Sequence, residues 1–148
     1  NMPTPNPDYV PNPQAKDGTI VMPARTAEVF GTMLRFEPLP HKNTLGYWVN
    51  KDDWASFEFT VSQAGKFTVE VLQGCGKGQG GSEVEVAVGE QALKFIVEDT
   101  GHFQNFKPRD IGEISIEKPG RYTLTIKPKL KKAAAVMDVR EVKLRPVK

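Results

Sequence analysis

The chain of 148 residues has one cysteine, two histidines and almost no excess of charge of either sign. Each shortage removes a class of function. A lone Cys75 cannot form an intramolecular disulfide, and among glycines it offers no redox pair. Cysteine and histidine clusters with zinc spacing are missing. With 20 basic against 18 acidic side chains the net charge is +2, far from the strongly basic field of a nucleic-acid binder. No segment reaches the roughly 18 apolar residues of a membrane-spanning helix, and no charged segment followed by an apolar one opens the chain. Either a signal peptide has been removed or the chain is part of a longer one.

Proline, in contrast, is dense at the start: Pro3, Pro5, Pro7, Pro11 and Pro13 fall within Asn1 to Gln14. That density blocks helix and sheet ladders and favours extended backbone. Residues 1–18 are expected to be a linker that ties the domain over 19–148 to an upstream catalytic domain, a flexible mature N-terminus being the alternative with the same composition. A domain of this length can bury roughly two thirds of its unfolded surface around one core.

From Thr19 the pattern has period two. Ala55, Phe57, Phe59 and Val61 share one face of a strand, and Ser56, Glu58 and Thr60 the other. The same alternation at Phe67, Val69 and Val71, at Val84, Val86 and Val88, at Leu93, Phe95 and Val97, and at Tyr122, Leu124 and Ile126 marks the core strands. Glycines at Ala64-Gly65, Val88-Gly89-Glu90-Gln91 and Pro119-Gly120 mark the turns between them. Eight to ten short strands so punctuated predict an all-β antiparallel jelly-roll sandwich.

One segment places hydrogen-bonding groups beside aromatic rings in a loop between strands: Thr100-Gly101-His102-Phe103-Gln104-Asn105-Phe106. A pyranose packs its C–H face on an aromatic ring and needs partners for its hydroxyls. Phe103 supplies the ring, and Gln104 and Asn105 supply donors and acceptors. Phe106 is assigned to the core.

The segment resembles the threonine-glycine-glycine-tryptophan-glutamine signature of family 6 carbohydrate-binding modules, with His102 in place of a glycine and Phe103 in place of the tryptophan. Gly46-Tyr47, Asp53-Trp54-Ala55-Ser56-Phe57, Ala64-Gly65-Lys66-Phe67-Thr68-Val69 and Val136-Met137-Asp138-Val139 are similar to further segments of the same family 6/35, galactose-binding-like modules. The order also matches, and together these segments cover most of Val21 to Leu144. Leu45-Gly46-Tyr47-Trp48, Gln73-Gly74-Cys75-Gly76-Lys77-Gly78 and Ala135-Val136-Met137-Asp138-Val139-Arg140 look closer still to accessory domains of bacterial sulfatases and glycoside hydrolases.

The resemblance implies a sugar cleft among loops at one end of the sandwich, with Tyr47 and Phe103 on either side of the ring and His102, Gln104 and Asn105 nearby. Trp48 is a neighbouring candidate, although only one of Tyr47 and Trp48 can face the cleft from a regular strand. Trp54 is a core or rim residue. An asparagine that the family often places before the final-strand aspartate is replaced by Val136 and Met137, which removes a polar clamp. Related modules also hold a structural calcium through early glutamates and that aspartate. Here Pro23-Ala24-Arg25 stands at the early position, so no cofactor is expected. Instead Arg25 is expected to pair with Asp138, which points inward in the absence of a bulge. Glu28 with Asp138 is the alternative calcium set, Glu37 being a further oxygen ligand.

Three other features have plainer readings. Gln73 to Ser82 is a glycine-rich loop without a phosphate-loop ending, expected to be a mobile connection from which Lys77 and Gln79 can reach a ligand. Lys127, Lys129, Lys131 and Lys132 form either a solvated sheet edge or an attractive field for acidic or sulfated glycans. Cys75 and His102, oriented by Asp99 or Glu98, are the one conceivable nucleophile and base. The sequence therefore points to a non-catalytic glycan-binding module of an exported, periplasmic or extracellular polysaccharide-degrading enzyme, or alternatively to a docking sandwich without sugar binding.

Overall fold

The period-two pattern becomes twelve strands among residues 10–148, the residues that the computed structural model describes. They are β1 (Asn12–Pro13), β2 (Ile20–Pro23), β3 (Glu28–Phe30), β4 (Arg35–Glu37), β5 (Thr44–Gly46), β6 (Trp54–Val61), β7 (Gly65–Cys75), β8 (Glu83–Val88), β9 (Gln91–Ile96), β10 (His102–Ile116), β11 (Gly120–Leu130) and β12 (Asp138–Pro146). One sheet has the order β1-β6-β11-β8-β9, with β3 also on β6, and the other the order β10-β7-β12-β5-β4, with β2 also on β12. The result is the expected two-sheet jelly roll. All the pairings between these strands are antiparallel except that of β1 with β6.

The inward faces interdigitate into one core. Phe57, Phe59, Leu124 and Ile126 from the first sheet meet Phe67, Val69, Val71, Val142 and Leu144 from the second, all buried. Leu93 and Tyr122, expected in the core, are half-buried against its margin. Phe106, also expected there, is half-buried outside it with the Arg140 guanidinium 4.0 Å over its ring. The strand segment that carries it leaves the β10–β7 ladder.

The expected linker boundary moves. Residues 1–9, with Pro3, Pro5 and Pro7, lie outside the described residues, but Asn12 and Pro13 pair with Phe59 and Thr60. Gln14 fastens the segment further: its amide oxygen accepts from the backbone of Ser62 and Gln63, and its amide nitrogen donates to the carbonyls of Gly18 and Gln63. From Asn12 onward the proline-rich segment is part of the sandwich.

Two irregularities in the second sheet shape one end of the molecule. On β12 the register passes from Val139 opposite Gln73 to Glu141 opposite Leu72, so Arg140 is a bulge. The bulge reverses parity. Val139 joins Val142 and Leu144 in the core, while Asp138, opposite Gly74, turns to the outer face. Asp138 therefore does not point inward as expected. On β10 the register passes from His102 opposite Cys75 to Lys107 opposite Gln73, and Phe103 to Phe106 arch off the ladder in between.

Candidate functional site

At that end the β5–β6 loop, the start of β10 and the start of β12 enclose a cleft of about 220 Å³, lined by Glu37, Lys42, Tyr47, Trp48, Val49, Phe103, Gln104, Ala135, Met137 and Asp138. This is smaller than the roughly 300–1,000 Å³ clefts that take drug-sized ligands and suits one six-membered ring.

Asp53 fixes the loop that carries the first wall. Its buried carboxylate accepts from the backbone N–H groups of Thr32, Met33 and Leu34 at 3.0–3.1 Å, and its carbonyl accepts from Trp48 Nε1 at 2.9 Å. Gly31, at φ +131°, leaves the room: a β-carbon there would stand 2.0 Å from Asp53 Oδ1. Trp48 is 1% exposed and belongs to the core, although it also lines the cleft. Tyr47 is 44% exposed and has φ +56°, a left-handed backbone that bulky residues rarely adopt. Such strain costs on the order of 1–3 kcal/mol and gathers at binding sites. This conformation departs from a regular strand, which is why neighbouring Tyr47 and Trp48 both reach one cleft. The Arg35 guanidinium lies 3.7 Å over the Tyr47 ring and fixes its plane.

Phe103 is a second aromatic in the lining. Its ring lies against Gly76 and its carbonyl against Gly74, where a β-carbon would stand 2.1 Å from the oxygen. These glycines serve close approach to the arched segment. Most polar groups of that segment hold the arch itself. Thr100 Oγ1 accepts from the Cys75 N–H, Asn105 donates to the Thr100 carbonyl, and His102 Nδ1 accepts from the Gln104 N–H. Asp99 accepts from the N–H groups of Gly78 and Gly101, which hold its carboxyl below the usual value. Of the polar candidates in this segment only Gln104 lines the cleft; His102 and Asn105 do not.

The polar floor comes from residues assigned otherwise or missed. Asp138, 4% exposed, accepts from Gln104 Nε2 at 3.2 Å through Oδ2. Burial pushes its carboxyl up to about 7; the Gln104 hydrogen bond and Lys42 oppose the rise, and Glu37 adds to it. Gln104 takes the place expected of Arg25, which is exposed in the 3-10 turn Ala24–Thr26. Glu37 Oε2 pairs with Lys42 Nζ at 2.8 Å and holds the lysine above its ordinary value. The Glu37 carboxylate rests on Gly46, whose β-carbon would stand 1.9 Å from Oε1. Arg140 donates to the carbonyls of His41 and Lys42 and anchors that loop. Lys42 lies in a stretch without motif or periodicity, so no signal in the sequence marked it.

Other expectations change with the geometry. Glu28 pairs opposite Ser56 in the first sheet, whereas Asp138 lies in the second, so the alternative calcium set is not assembled. Among the described residues no group of three or more acidic, histidine or cysteine side chains is placed to hold a metal ion. Cys75 and His102 are opposite each other in register, but the thiol is buried and pushed up to about 11 by burial, with Asp99 and Asp138 adding, while the imidazole is exposed. A neutral buried thiol is no nucleophile.

The glycine-rich connection is not loose. Gly78 donates to Asp99, Gly81 to the Val97 carbonyl, and Gln79 Oε1 accepts from Ala135. Of the lysine cluster, Lys127 lies 4.5 Å over the Trp54 ring, itself stacked on Phe30, and Lys129 pairs with Glu85; no member of the cluster lines the cleft. In a wider depression at Val88–Gln91 and Ser115–Lys118, Gln91 is engaged with the Ser115 backbone and Tyr122 with the Lys118 carbonyl.

The model of a family described as a domain of unknown function, DUF5077, matches residues 37–147. Among solved structures the chain is similar to the C-terminal family 6 carbohydrate-binding module of LamC, a marine laminarinase from Zobellia galactanivorans: TM-score 0.65, 16% identity, 86% of this chain and 98% of that one. It is similar to a family 35 carbohydrate-binding module from Clostridium thermocellum, with TM-score 0.66 and 10% identity over 87% of this chain and 98% of that one. A third is the module CBM6cm-2 of lichenase 5A from Cellvibrio mixtus, in complex with cellotriose, with TM-score 0.64 and 15% identity over 86% and 97%. At these identities the likeness shows the fold, a jelly-roll sandwich of the family 6 and 35 kind. No curated protein matches the chain. No helix among the described residues is long and apolar enough to cross a membrane.

Proposed function

The chain belongs to the DUF5077 family, and from that premise and the cleft we propose that it is a non-catalytic module that binds one sugar residue of a glycan. The observation that carries this reading is the placing of Tyr47 and Phe103 on a one-ring cleft whose floor holds Gln104 and Asp138. Rings supply stacking surface and the floor supplies partners for hydroxyls. Tyr47 is held there at a strained backbone angle, which a purely architectural loop does not require. The fold supports the reading by analogy only, since one fold hosts many functions.

In this reading the module serves an attached polysaccharide-degrading enzyme, a glycoside hydrolase or a sulfatase, exported to the periplasm or outside the cell. The similar modules named above belong to a laminarinase and a lichenase. Attachment to such an enzyme would raise its effective concentration near the glycan. Acidic or sulfated polymers would meet the lysines of β11 and the segment after it, away from the cleft.

The test is binding of the 148-residue chain to oligosaccharides ending in neutral, amino and uronate sugars, beside a folded Phe103→Ala variant. Saturable binding, weakened on the order of tenfold to a hundredfold in the variant, is the expected result. No binding by well-folded protein would leave a docking role in its place.

A further inference from the structure

We propose that the cleft admits a pyranose residue without an anionic group, neutral or amino-bearing, and rejects uronates and sulfate esters. This rests on the sugar-binding reading and names the ligand class. The lining side chains Glu37, Asp138 and Gln104 all present acceptors, against one ammonium, Lys42. That ammonium is 2.8 Å from Glu37 Oε2, so its charge is already matched. Asp138 has no cation of its own. Its Oδ2 accepts from Gln104, and Oδ1 takes no hydrogen bond among the described residues. The one buried side-chain polar atom left without a partner among them is Arg140 Nε, so Oδ1 is open to the cleft although Asp138 is 4% exposed. A carboxylate oxygen so held asks for a donor, a hydroxyl or an ammonium.

The rise of the Asp138 carboxyl comes first from burial, and Glu37 adds to it, so the two carboxylates also feel each other. A ligand carboxylate or sulfate would add a third negative group in a partly desolvated space, where like charges are strongly disfavoured. The nearby guanidinium of Arg35 covers one face of Tyr47 and is not part of the lining. The lysines that suggested acidic glycans also stand outside it.

The experiment is titration calorimetry of the 148-residue chain at pH 8, where Asp138 is largely ionised, with cello-oligosaccharides, galacto-oligosaccharides, chitosan oligomers, oligogalacturonates and sulfated galacto-oligosaccharides. Neutral or amino-ended ligands are expected to bind at least about tenfold more tightly than the anionic ones at 0.15 M salt. Asp138→Asn, close in shape, should narrow that ratio by about tenfold, and Glu37→Gln should narrow it independently. Uronates or sulfated sugars binding as tightly as neutral ones would overturn the selectivity and leave the sugar site standing. No binding of any sugar by folded protein would overturn both readings.

Discussion

Phe103 occupies the space that a side chain on Gly76 would fill: a β-carbon there would stand 2.5 Å from Cε2 of the ring. Gly76 is not among the glycines at positive φ, so alanine at this position makes one new demand, that the ring move. Gly76→Ala is expected to weaken sugar binding at least about tenfold and to cost about 1–3 kcal/mol in stability. Calorimetry and urea unfolding on the same variant check the two parts, and unchanged affinity would show that the ring position is immaterial.

Tyr47 separates backbone strain from ring function. At φ +56° any L side chain beyond glycine is disfavoured by roughly 1–2 kcal/mol. Tyr47→Ala and Tyr47→Gly both remove the wall and the stack with Arg35, and both should abolish measurable binding. The glycine variant should nevertheless be about 1 kcal/mol more stable than the alanine variant. Equal unfolding midpoints for the two would mean that the loop relaxes out of the left-handed region.

The pH dependence of stability has a definite sign. Asp138 titrates at about 7 in the folded protein against an ordinary 3.8, so between these values the folded state holds a proton that the unfolded chain has lost. Stability therefore falls as pH rises from about 4 to 7, by an amount on the order of 4 kcal/mol for a group this buried. Asp17 and Asp99 are shifted down from 3.8 and Glu98 from 4.5, so the stability they contribute is lost only as pH falls below these values, at or beyond the acid edge of that window. Asp138→Asn should remove the slope and be more stable than the parent at pH 8. Thermal midpoints from pH 4.5 to 8.5 decide it, and parallel curves for parent and variant would contradict the assignment.

The sandwich was legible because period two marks buried faces wherever a strand runs without interruption, as from Ala55 to Val61 and from Phe67 to Val71. The exceptions are the irregular places. Strand parity puts Asp138 on the wrong face because one extra residue, Arg140, reverses it and nothing in the composition of the strand announces the bulge. In the cleft, Tyr47, Phe103 and Gln104 could be read from motif order, whereas His102 and Asn105 carry the right chemistry but use it on the arch of their own loop. Glu37 and Lys42 reach the floor through the β4–β5 pairing, a tertiary relation that a single sequence does not display.

Asp99 gives the last test, because the glycine-rich connection is held by side chains rather than left mobile. Its two oxygens accept from the backbone N–H groups of Gly78 and Gly101. In the parent the amides of Gly78 and Gly101 should exchange slowly, although both residues are exposed. Asp99→Ala removes both acceptors together and should speed exchange at both amides by on the order of tenfold. Since the same loop carries Gly76, against which the ring rests, sugar affinity should fall in parallel while the core strands keep their protection. Fast exchange at Gly78 and Gly101 in the parent would return this segment to the mobile connection that its glycines suggested.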